Sequence, residues 1–479
     1  MTDSDKLATS PSERSQRMTS MEKFHWLDQN PEFPNYVFAT LRFDIRIDPK
    51  VAQQSLAVAL SRQPLAAMQP ELVGGRWCWK PIQDTKFDSE RFFCTRTAGN
   101  AAEENQSNAA GNKFLAERPY ASYFLTVTNS AEPDSSGTTA SEIRFHSHHA
   151  ASDGVASIGL INDWLVIYNN LVAGEPAEAG LVELDDSSFH RRGVLGLWSW
   201  SYLKGLPQQT IALFGAAKFI FRKTKTIAPQ TLPIENPTTY PAIKGVWIDA
   251  KTLQADRRRA SDNQVGFTAW CMARCFVAIE RWNKNRQTES KDSQSQSTSV
   301  WRILLPFSTR SAGDRASIAA NRTAVIQIDR QVPACGTQTI PFCQSIDHEI
   351  NVIRRWQLEK MFLIAIRLAS VSNTWLSKIA NNPVSRGAAI FTHLGRPYKR
   401  AMIHVNRLSK SAASPMLLAR PVDFDLAGPI RTGTPINISF ARFDHRLKIS
   451  LHYDSQTISP AEADRLLATI VELFSIEAA

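Results

Sequence analysis

The sequence predicts an α/β (α+β) protein built from two lobes, and three observations support this fold class. The chain has 479 residues, which is more than one hydrophobic core usually holds. Segments with helical spacing of apolar residues and segments with strand alternation occur in both halves of the chain. Residues 229–241 carry several prolines between the two halves, and this composition is typical of a linker.

These observations divide the chain into four parts. Residues 1–20 are rich in serine, threonine and charge, so we expect a disordered N-terminal tail. Residues 21–192 form the N-terminal lobe, residues 193–241 a crossover segment and linker, and residues 242–479 the C-terminal lobe. Polar stretches of small residues are expected to be surface loops, because they cannot bury enough apolar area to order themselves; they lie at 99–113, 129–142 and 283–299.

Both lobes are expected to contain mixed sheets flanked by helices. The N-terminal lobe should hold strands at 36–47 and 77–79, a hairpin formed by 120–128 and 143–149, and helices at 51–65 and 153–172. The C-terminal lobe should hold a helix at 265–282, a strand at 301–307, one long helix at 346–376, strands at 388–394, 436–443 and 447–453, and a closing helix at 460–474.

Composition and charge exclude several classes of function. The net charge is +10, but lysine and arginine are scattered rather than gathered into a basic tract with aromatic residues, so no nucleic-acid partner is expected. No pair among the six cysteines has the spacing of a zinc site, so no metal is expected. The N-terminus lacks an apolar signal core, and no window predicts a membrane-spanning helix, which indicates a cytoplasmic protein.

Residues 193–225 are apolar, aromatic and basic, and two interpretations remain open. They resemble an interfacial amphipathic segment, which would make the protein peripheral to a membrane. They are also typical of a helix that packs over the crossover between the lobes and turns its basic face to solvent, which is the interpretation that we prefer.

The segment His148-His149-Ala150-Ala151-Ser152-Asp153-Gly154 is the strongest candidate for chemistry. Residues 143, 145, 147 and 149 share one face of the preceding strand, so His149 should point inward and His148 away from it. Asp153 opens a helix, where its carboxylate can cap free backbone N–H groups. Gly154 would permit a close backbone approach or an unusual dihedral angle.

This segment resembles the HHxxxDG motif of the chloramphenicol acetyltransferase-like superfamily. That superfamily includes nonribosomal peptide condensation domains, alcohol acetyltransferases and wax ester synthase/diacylglycerol acyltransferases. The resemblance implies two similar lobes with an active-site tunnel between them, entered from both sides. It also implies that His149 is the general base or positions the nucleophile, and that Asp153 is mainly structural and pairs with an arginine of the second lobe.

Further segments extend the resemblance. Pro306-Phe307-Ser308-Thr309-Arg310 is similar to the P-x-x-x-R segment of these families, so Arg310 is the expected partner of Asp153, and Asn321 is similar to the asparagine that follows. Residues 390–395 lie where relatives often carry Ser-Asn-x-Gly. Thr392 could there donate a hydroxyl to the oxyanion, although His393 replaces the asparagine. The DFGWG motif of plant enzymes is absent, and Asp423-Phe424-Asp425 is only a superficial likeness to it.

The resemblance implies an acyltransferase that moves an acyl group from a thioester to an alcohol or amine, with a lipid-like acceptor as one option. No cofactor is expected beyond the donor substrate, which is acyl-CoA or a carrier-protein thioester. One alternative is a condensation enzyme that depends on a carrier protein as its partner. Another is a non-catalytic binding protein that retains the fold.

Overall fold

The computed structural model describes most of the chain, and its elements are given for residues 15–82, 92–98, 123–130, 140–184, 189–194, 203–211, 222–228, 234, 237–238, 240–289, 300–310, 320–333, 338–382, 387–411 and 418–475. The predicted loop at 99–113 lies outside these residues. So do residues 131–139, residues 290–299 and much of the segment 193–241, so both interpretations of 193–225 stay predictions.

The strands follow each other along the chain as β1 (Gln16–Arg17), β2 (Tyr36–Phe43), β3 (Met68–Val73), β4 (Arg76–Pro81), β5 (Phe93–Ala98), β6 (Tyr123–Ser130), β7 (Ser141–His148), β8 (Ala242–Ile248), β9 (Val300–Ser308), β10 (Thr323–Gln331), β11 (Ala389–His393), β12 (Pro421–Ala427), β13 (Ile436–Phe443) and β14 (Arg446–Tyr453).

The α-helices are α1 (Ser20–Leu27), α2 (Pro49–Ser61), α3 (Gly154–Ala173), α4 (Ala250–Asp262), α5 (Phe267–Glu289), α6 (Ile340–Trp356), α7 (Glu359–Ala369), α8 (Asn373–Ala380), α9 (Lys399–Ser411) and α10 (Pro460–Ser475). A 3-10 turn covers Pro64–Ala67.

Two sheets form the centres of the two lobes, as the sequence predicts. The N-terminal sheet has the order β12-β2-β7-β6-β5, and the C-terminal sheet has the order β10-β9-β11-β13-β14-β8. The predicted hairpin is present, because β6 and β7 pair antiparallel from Tyr123 opposite Ser147 to Asn129 opposite Ser141. Strands β3 and β4 form a separate small sheet with β1.

One strand of the second half of the chain belongs to the first lobe. Strand β12 pairs antiparallel with β2, and the apolar core of the N-terminal lobe also takes in residues of α9 and β12. Asp425 and Asp423 of β12 bind Arg42 of β2 at 2.9 Å and 2.8 Å. Lys448 of β14 lies 2.8 Å from Asp423 and so ties the second sheet to the same cluster. The sequence predicted that residues 242–479 form one separate lobe. This prediction is wrong, because residues of α9 and β12 pack in the first lobe.

Three sequence-based boundaries need correction. The predicted helix at 346–376 is three helices, α6, α7 and α8, because Gln357 ends α6 in a left-handed conformation (φ 52°) and Ser372 caps the start of α8. Helix α5 continues to Glu289, so the first residues of the predicted loop at 283–299 are helical. Strand β1 and the start of α1 lie within the predicted disordered tail, whose residues 1–14 are outside the described part.

Helix α3 passes through the core of the N-terminal lobe. It begins after Asp153, whose side chain accepts a hydrogen bond from the N–H of Ala156, and it ends at Gly174 in a left-handed conformation (φ 71°). By length and composition it could cross a membrane, but 72% of its apolar window is buried inside the protein. Its apolar surface is thus used for packing against the sheet and α2.

Candidate active site

The two histidines of the motif point in opposite directions, as strand alternation predicts. His148 is 2% exposed and packs against Trp26 and Tyr36, with ring centroids 5.2 Å and 4.9 Å away. Its Nδ1 accepts a hydrogen bond from the N–H of Ala150 at 3.1 Å, and its Nε2 donates to Oε1 of Gln29 at 2.9 Å. Both ring nitrogens are occupied, so His148 is a structural residue that fixes the turn.

His149 faces a cavity between the two lobes, and Asn321 holds its ring from the other lobe. Nδ2 of Asn321 lies 2.9 Å from Nδ1 of His149 and donates to the backbone carbonyl oxygen of His149 at 2.6 Å. Oδ1 of Asn321 accepts the N–H of Thr323 at 3.1 Å, which fixes the orientation of the amide. Nε2 of His149 makes no hydrogen bond to the described part of the chain.

His149 has two neutral forms. In the form that fits the observed contact, Nδ1 accepts a hydrogen bond from Nδ2 of Asn321 at 2.9 Å, and Nε2 carries the proton. In the other form Nδ1 carries the proton and donates to the carbonyl oxygen of the same residue, which leaves a lone pair on Nε2 and requires Nδ2 of Asn321 to move away from Nδ1. Burial lowers the pKa of His149, and the ring's bond to its own carbonyl and the charge of Asp153 only partly oppose this effect. The ring is therefore neutral at pH 7 in either form.

The predicted ion pair between Asp153 and Arg310 is present and buried. Nη1 of Arg310 lies 2.5 Å from Oδ2 of Asp153, and the two side chains are 2% and 1% exposed. The same carboxylate oxygen accepts the N–H of Arg322 at 2.8 Å and the hydroxyl of Thr323 at 3.1 Å. Burial alone would raise the pKa of Asp153, but Arg310 and the backbone N–H groups outweigh it and keep that pKa below its usual value. The pair joins the motif turn to the second lobe.

The prediction for Gly154 is wrong in its reason. Its φ is not in the left-handed region, and a Cβ placed on it would lie 3.6 Å from Cδ2 of Leu394, which is an ordinary contact. No close backbone approach therefore requires glycine. Gly154 lines the cavity beside His149, and the absence of a side chain leaves space there.

Thr392 lies on the cavity side of β11, and His393 does not. Ile390, Thr392 and Leu394 line the cavity, whereas His393 points to the opposite face and its Nδ1 lies 2.9 Å from the hydroxyl of Thr268. The histidine that replaces the expected asparagine thus does not enter the site. Ser439 of β13 lies directly opposite Thr392 and also lines the cavity, which the sequence did not reveal, but its hydroxyl donates to Oδ1 of Asn437 at 3.1 Å.

The cavity has a volume of about 180 Å³ and is mostly apolar. Both lobes contribute to its wall, through residues that include Val37, Phe145, Ile161, Leu304, Val325 and Ile390. Its polar lining includes His149, Asn35 and the ion pair between Asp28 and Arg431, whose atoms are 3.1 Å apart. A mainly apolar ligand that carries a few polar groups fits these walls.

One residue of the site was missed by the sequence analysis. His25 of α1 lines the same cavity, and its ring is stacked on that of His149 with centroids 4.2 Å apart and planes inclined by 1°. The two residues are far apart in sequence and belong to different elements, so no motif spacing could have joined them. Burial, and then the neighbouring His149, His148 and Arg431, hold the pKa of His25 well below its ordinary value.

A second cavity, of about 500 Å³, is lined in part by Asn321 and Thr323. Thr323 lines both cavities. The second cavity is basic, since its wall includes Arg191, Arg192, Arg322, Lys360 and Arg367. Among the residues that the structure describes, no group of three or more histidine, cysteine, aspartate or glutamate side chains could hold a metal ion.

No protein-family model and no curated protein matches the sequence. Solved structures do match over nearly the whole chain. The first condensation domain of the calcium-dependent antibiotic synthetase has a TM-score of 0.64 at 12% identity and covers 97% of this chain and 96% of its own. The TRI3 trichothecene 15-O-acetyltransferase from Fusarium sporotrichioides has a TM-score of 0.64 at 15% identity and covers 96% of this chain and 94% of its own.

The condensation domain of the monacolin K polyketide synthase MokA has a TM-score of 0.61 at 12% identity and covers 96% of this chain and 97% of its own. At such identities the similarity concerns the fold. The chain therefore has the two-lobe chloramphenicol acetyltransferase-like fold that these condensation domains and this acetyltransferase share, as the HHxxxDG segment predicts.

Proposed function

We propose that the protein is an acyltransferase that moves an acyl group from a thioester to a hydroxyl or amine group, with His149 as the general base. One observation carries the proposal. In a cavity between the lobes, Asn321 holds the ring of His149 through Nδ1 and the carbonyl, while Nε2 is not bonded to the described part of the chain. A neutral imidazole in this position is suited to take a proton from a bound nucleophile.

The reaction uses the form of His149 in which Nδ1 carries the proton, so Nδ2 of Asn321 releases Nδ1 and keeps its bond to the carbonyl oxygen. The lone pair on Nε2 accepts the proton of the acceptor's hydroxyl while its oxygen bonds to the carbonyl carbon of the thioester. Collapse of the tetrahedral intermediate breaks the carbon–sulfur bond, and the imidazolium returns the proton to the thiolate. The products are an ester and a free thiol, or an amide and a free thiol for an amine acceptor, and no bond to the protein forms.

The hydroxyl of Thr392 is the candidate for stabilising the oxyanion. Thr392 lines the cavity that contains His149, whereas the hydroxyl of its neighbour Ser439 already donates to Asn437. Hydroxyl donors that are fixed in place before the reaction stabilise developing charge more strongly than water does, because they need no reorganisation. Holding donor and acceptor together in this cavity also converts their encounter into an oriented reaction.

The basic second cavity favours a donor that carries phosphate groups. Its arginine and lysine side chains share this cavity wall with Asn321 and Thr323, and Thr323 also lines the apolar cavity. Coenzyme A and the phosphopantetheine arm of a carrier protein both place phosphate at the far end of a long thiol, so the same cations suit either source. The acyl group would then extend past His149 into the apolar cavity.

A thiol-release assay tests the proposal. Purified protein is mixed with acetyl-CoA or longer acyl-CoAs, or with an acylated carrier protein, and with a panel of alcohols and amines, and the products are identified by mass spectrometry. We expect acceptor-dependent thiol release that falls at least about 100-fold in His149→Ala. The control His445→Ala, an exposed histidine in the turn between β13 and β14, should keep wild-type activity.

The two donors separate the candidate functions. Release from acyl-CoA supports an acyl-CoA-dependent transferase, and release from the acylated carrier protein alone supports a condensation-type enzyme. Absence of release from both donors with every acceptor contradicts the proposal and favours a binding protein that retains the fold.

A further inference from the structure

The active-site cavity contains a second imidazole that the reaction above does not use. The rings of His25 and His149 lie face to face, 4.2 Å apart and nearly parallel. Asn35 connects the two residues. Its side-chain Nδ2 donates to the backbone carbonyl oxygen of His25 at 2.9 Å, and its backbone carbonyl oxygen accepts the N–H of His149 at 2.8 Å. His25 is therefore built into the support of His149 rather than placed beside it by chance.

The two histidines are held in the same way. Nδ2 of Asn35 lies 3.3 Å from Nδ1 of His25, just as Nδ2 of Asn321 lies 2.9 Å from Nδ1 of His149. Each asparagine also donates to the backbone carbonyl of its histidine. In both rings Nδ1 is engaged by an amide, so Nε2 is the nitrogen that remains for a ligand.

Nε2 of His25 has no hydrogen-bond partner in the described part of the chain, although the residue is only 8% exposed. Buried ring nitrogens are nearly always hydrogen-bonded, because leaving one unpaired is costly. The ring lines the same mostly apolar cavity as the Asp28–Arg431 ion pair. An unpaired buried nitrogen in such a place indicates that a ligand completes it.

We propose that His25 binds the acceptor: its Nε2 forms a hydrogen bond to a second polar atom of the molecule whose hydroxyl His149 deprotonates. This inference rests on the proposed function. In this proposal both Nε2 atoms face the cavity that the two residues line, so the oxygens that meet the stacked rings, 4.2 Å apart, lie about 3–5 Å from each other. The acceptor is then a mainly apolar alcohol with a neighbouring oxygen, such as a 1,2-diol or a hydroxyketone.

A purely structural role for His25 would need only its flat ring. Phenylalanine has a ring of similar shape and can stack on His149, but it lacks the nitrogen. The variant His25→Phe therefore separates support of the base from recognition of the acceptor. Phe33→Leu is a matched control, because it changes another ring of the cavity wall without removing a polar atom.

The test compares cyclohexanol with trans-1,2-cyclohexanediol as acceptors, with acetyl-CoA as donor. Wild type should show kcat/KM about three- to tenfold higher for the diol beyond its twofold statistical advantage, as one hydrogen bond allows. In His25→Phe this preference should fall to the statistical factor, because the variant loses more kcat/KM for the diol than for cyclohexanol. Phe33→Leu should change both alcohols equally. An unchanged preference in His25→Phe, or equal losses for both alcohols, would overturn the inference.

Calorimetric titration with the same two alcohols does not require turnover. A preference for the diol that disappears in His25→Phe, without any thiol release by wild type, supports this inference and contradicts the proposed reaction. Equal binding of both alcohols to wild type and variant, together with thiol release, contradicts the inference and leaves the reaction standing.

Discussion

The substitution Arg310→Ala gives the sharpest test of the link between the motif turn and the second lobe. It removes the cation from an ion pair whose side chains are 1–2% exposed and leaves the carboxylate of Asp153 buried. Removing one partner of a buried pair costs about 3–5 kcal/mol. Asp153 keeps three other donors, from Ala156, Arg322 and Thr323, so we expect the lower end of this range, about 3 kcal/mol.

Urea denaturation at pH 7 measures this loss. The control Arg281→Ala removes a pair with Glu472 whose side chains are 28% and 58% exposed, and it should cost less than about 1 kcal/mol. The double variant of Arg310→Ala with Asp153→Asn should recover part of the stability, since no charge is then stranded.

The pH dependence of the same loss has a definite sign. Because the pKa of Asp153 is lowered in the folded state, its contribution to stability is present above the pKa of the unfolded chain, about 3.9, and is lost as the pH falls through the folded value. The deficit of Arg310→Ala should therefore be largest at neutral pH and shrink towards pH 4 and below. If the free energy of unfolding of Arg310→Ala at pH 7 lies within about 1 kcal/mol of the wild-type value, the stabilising role of the Asp153–Arg310 pair is refuted.

Three further predictions concern the cavity and the motif. Thr392→Val should lower kcat about 10- to 100-fold without changing the free energy of unfolding, whereas Thr392→Ser should keep most activity. Equal losses of kcat in the two variants would contradict an oxyanion role. Gly154→Val should fill the space beside Leu394 and raise KM for bulky acceptors more than for ethanol; equal effects on both would show that the space is not used. Burial lowers the pKa of His148 to about 3, so His148 should lower the free energy of unfolding of wild type by about 2 kcal/mol between pH 8 and pH 5. His148→Gln should lack this contribution. Urea denaturation at both pH values measures the difference.

The parts of the site that the sequence predicted depend on local rules. Alternation along β7 placed His149 and His148 on opposite faces, and the capping preference placed Asp153 at the start of α3. The motif resemblance then pointed to Arg310 and Asn321, which contact Asp153 and His149 in the structure.

The parts that the sequence did not predict depend on contacts between distant elements. His25 reaches the cavity only because α1 packs near the turn after β7, and Ser439 reaches it only because β13 pairs with β11. Strand β12 has the composition of an ordinary strand, and nothing in it indicates that it pairs with β2 of the other lobe. The reason predicted for Gly154 was wrong. The sequence alone does not distinguish a glycine that leaves space for a ligand from one that adopts an unusual backbone dihedral angle.

The pH dependence of kcat/KM tests most directly the claim that neutral His149 is the general base. The pH profile of kcat/KM reports the pKa of the base in the free enzyme, and burial lowers the pKa of His149. We expect kcat/KM for acetyl transfer to rise through a single ionisation below about pH 6.5 and to stay level from pH 7 to pH 8. A profile that keeps rising above pH 8, or a His149→Ala variant with the activity and profile of wild type, would contradict the assignment.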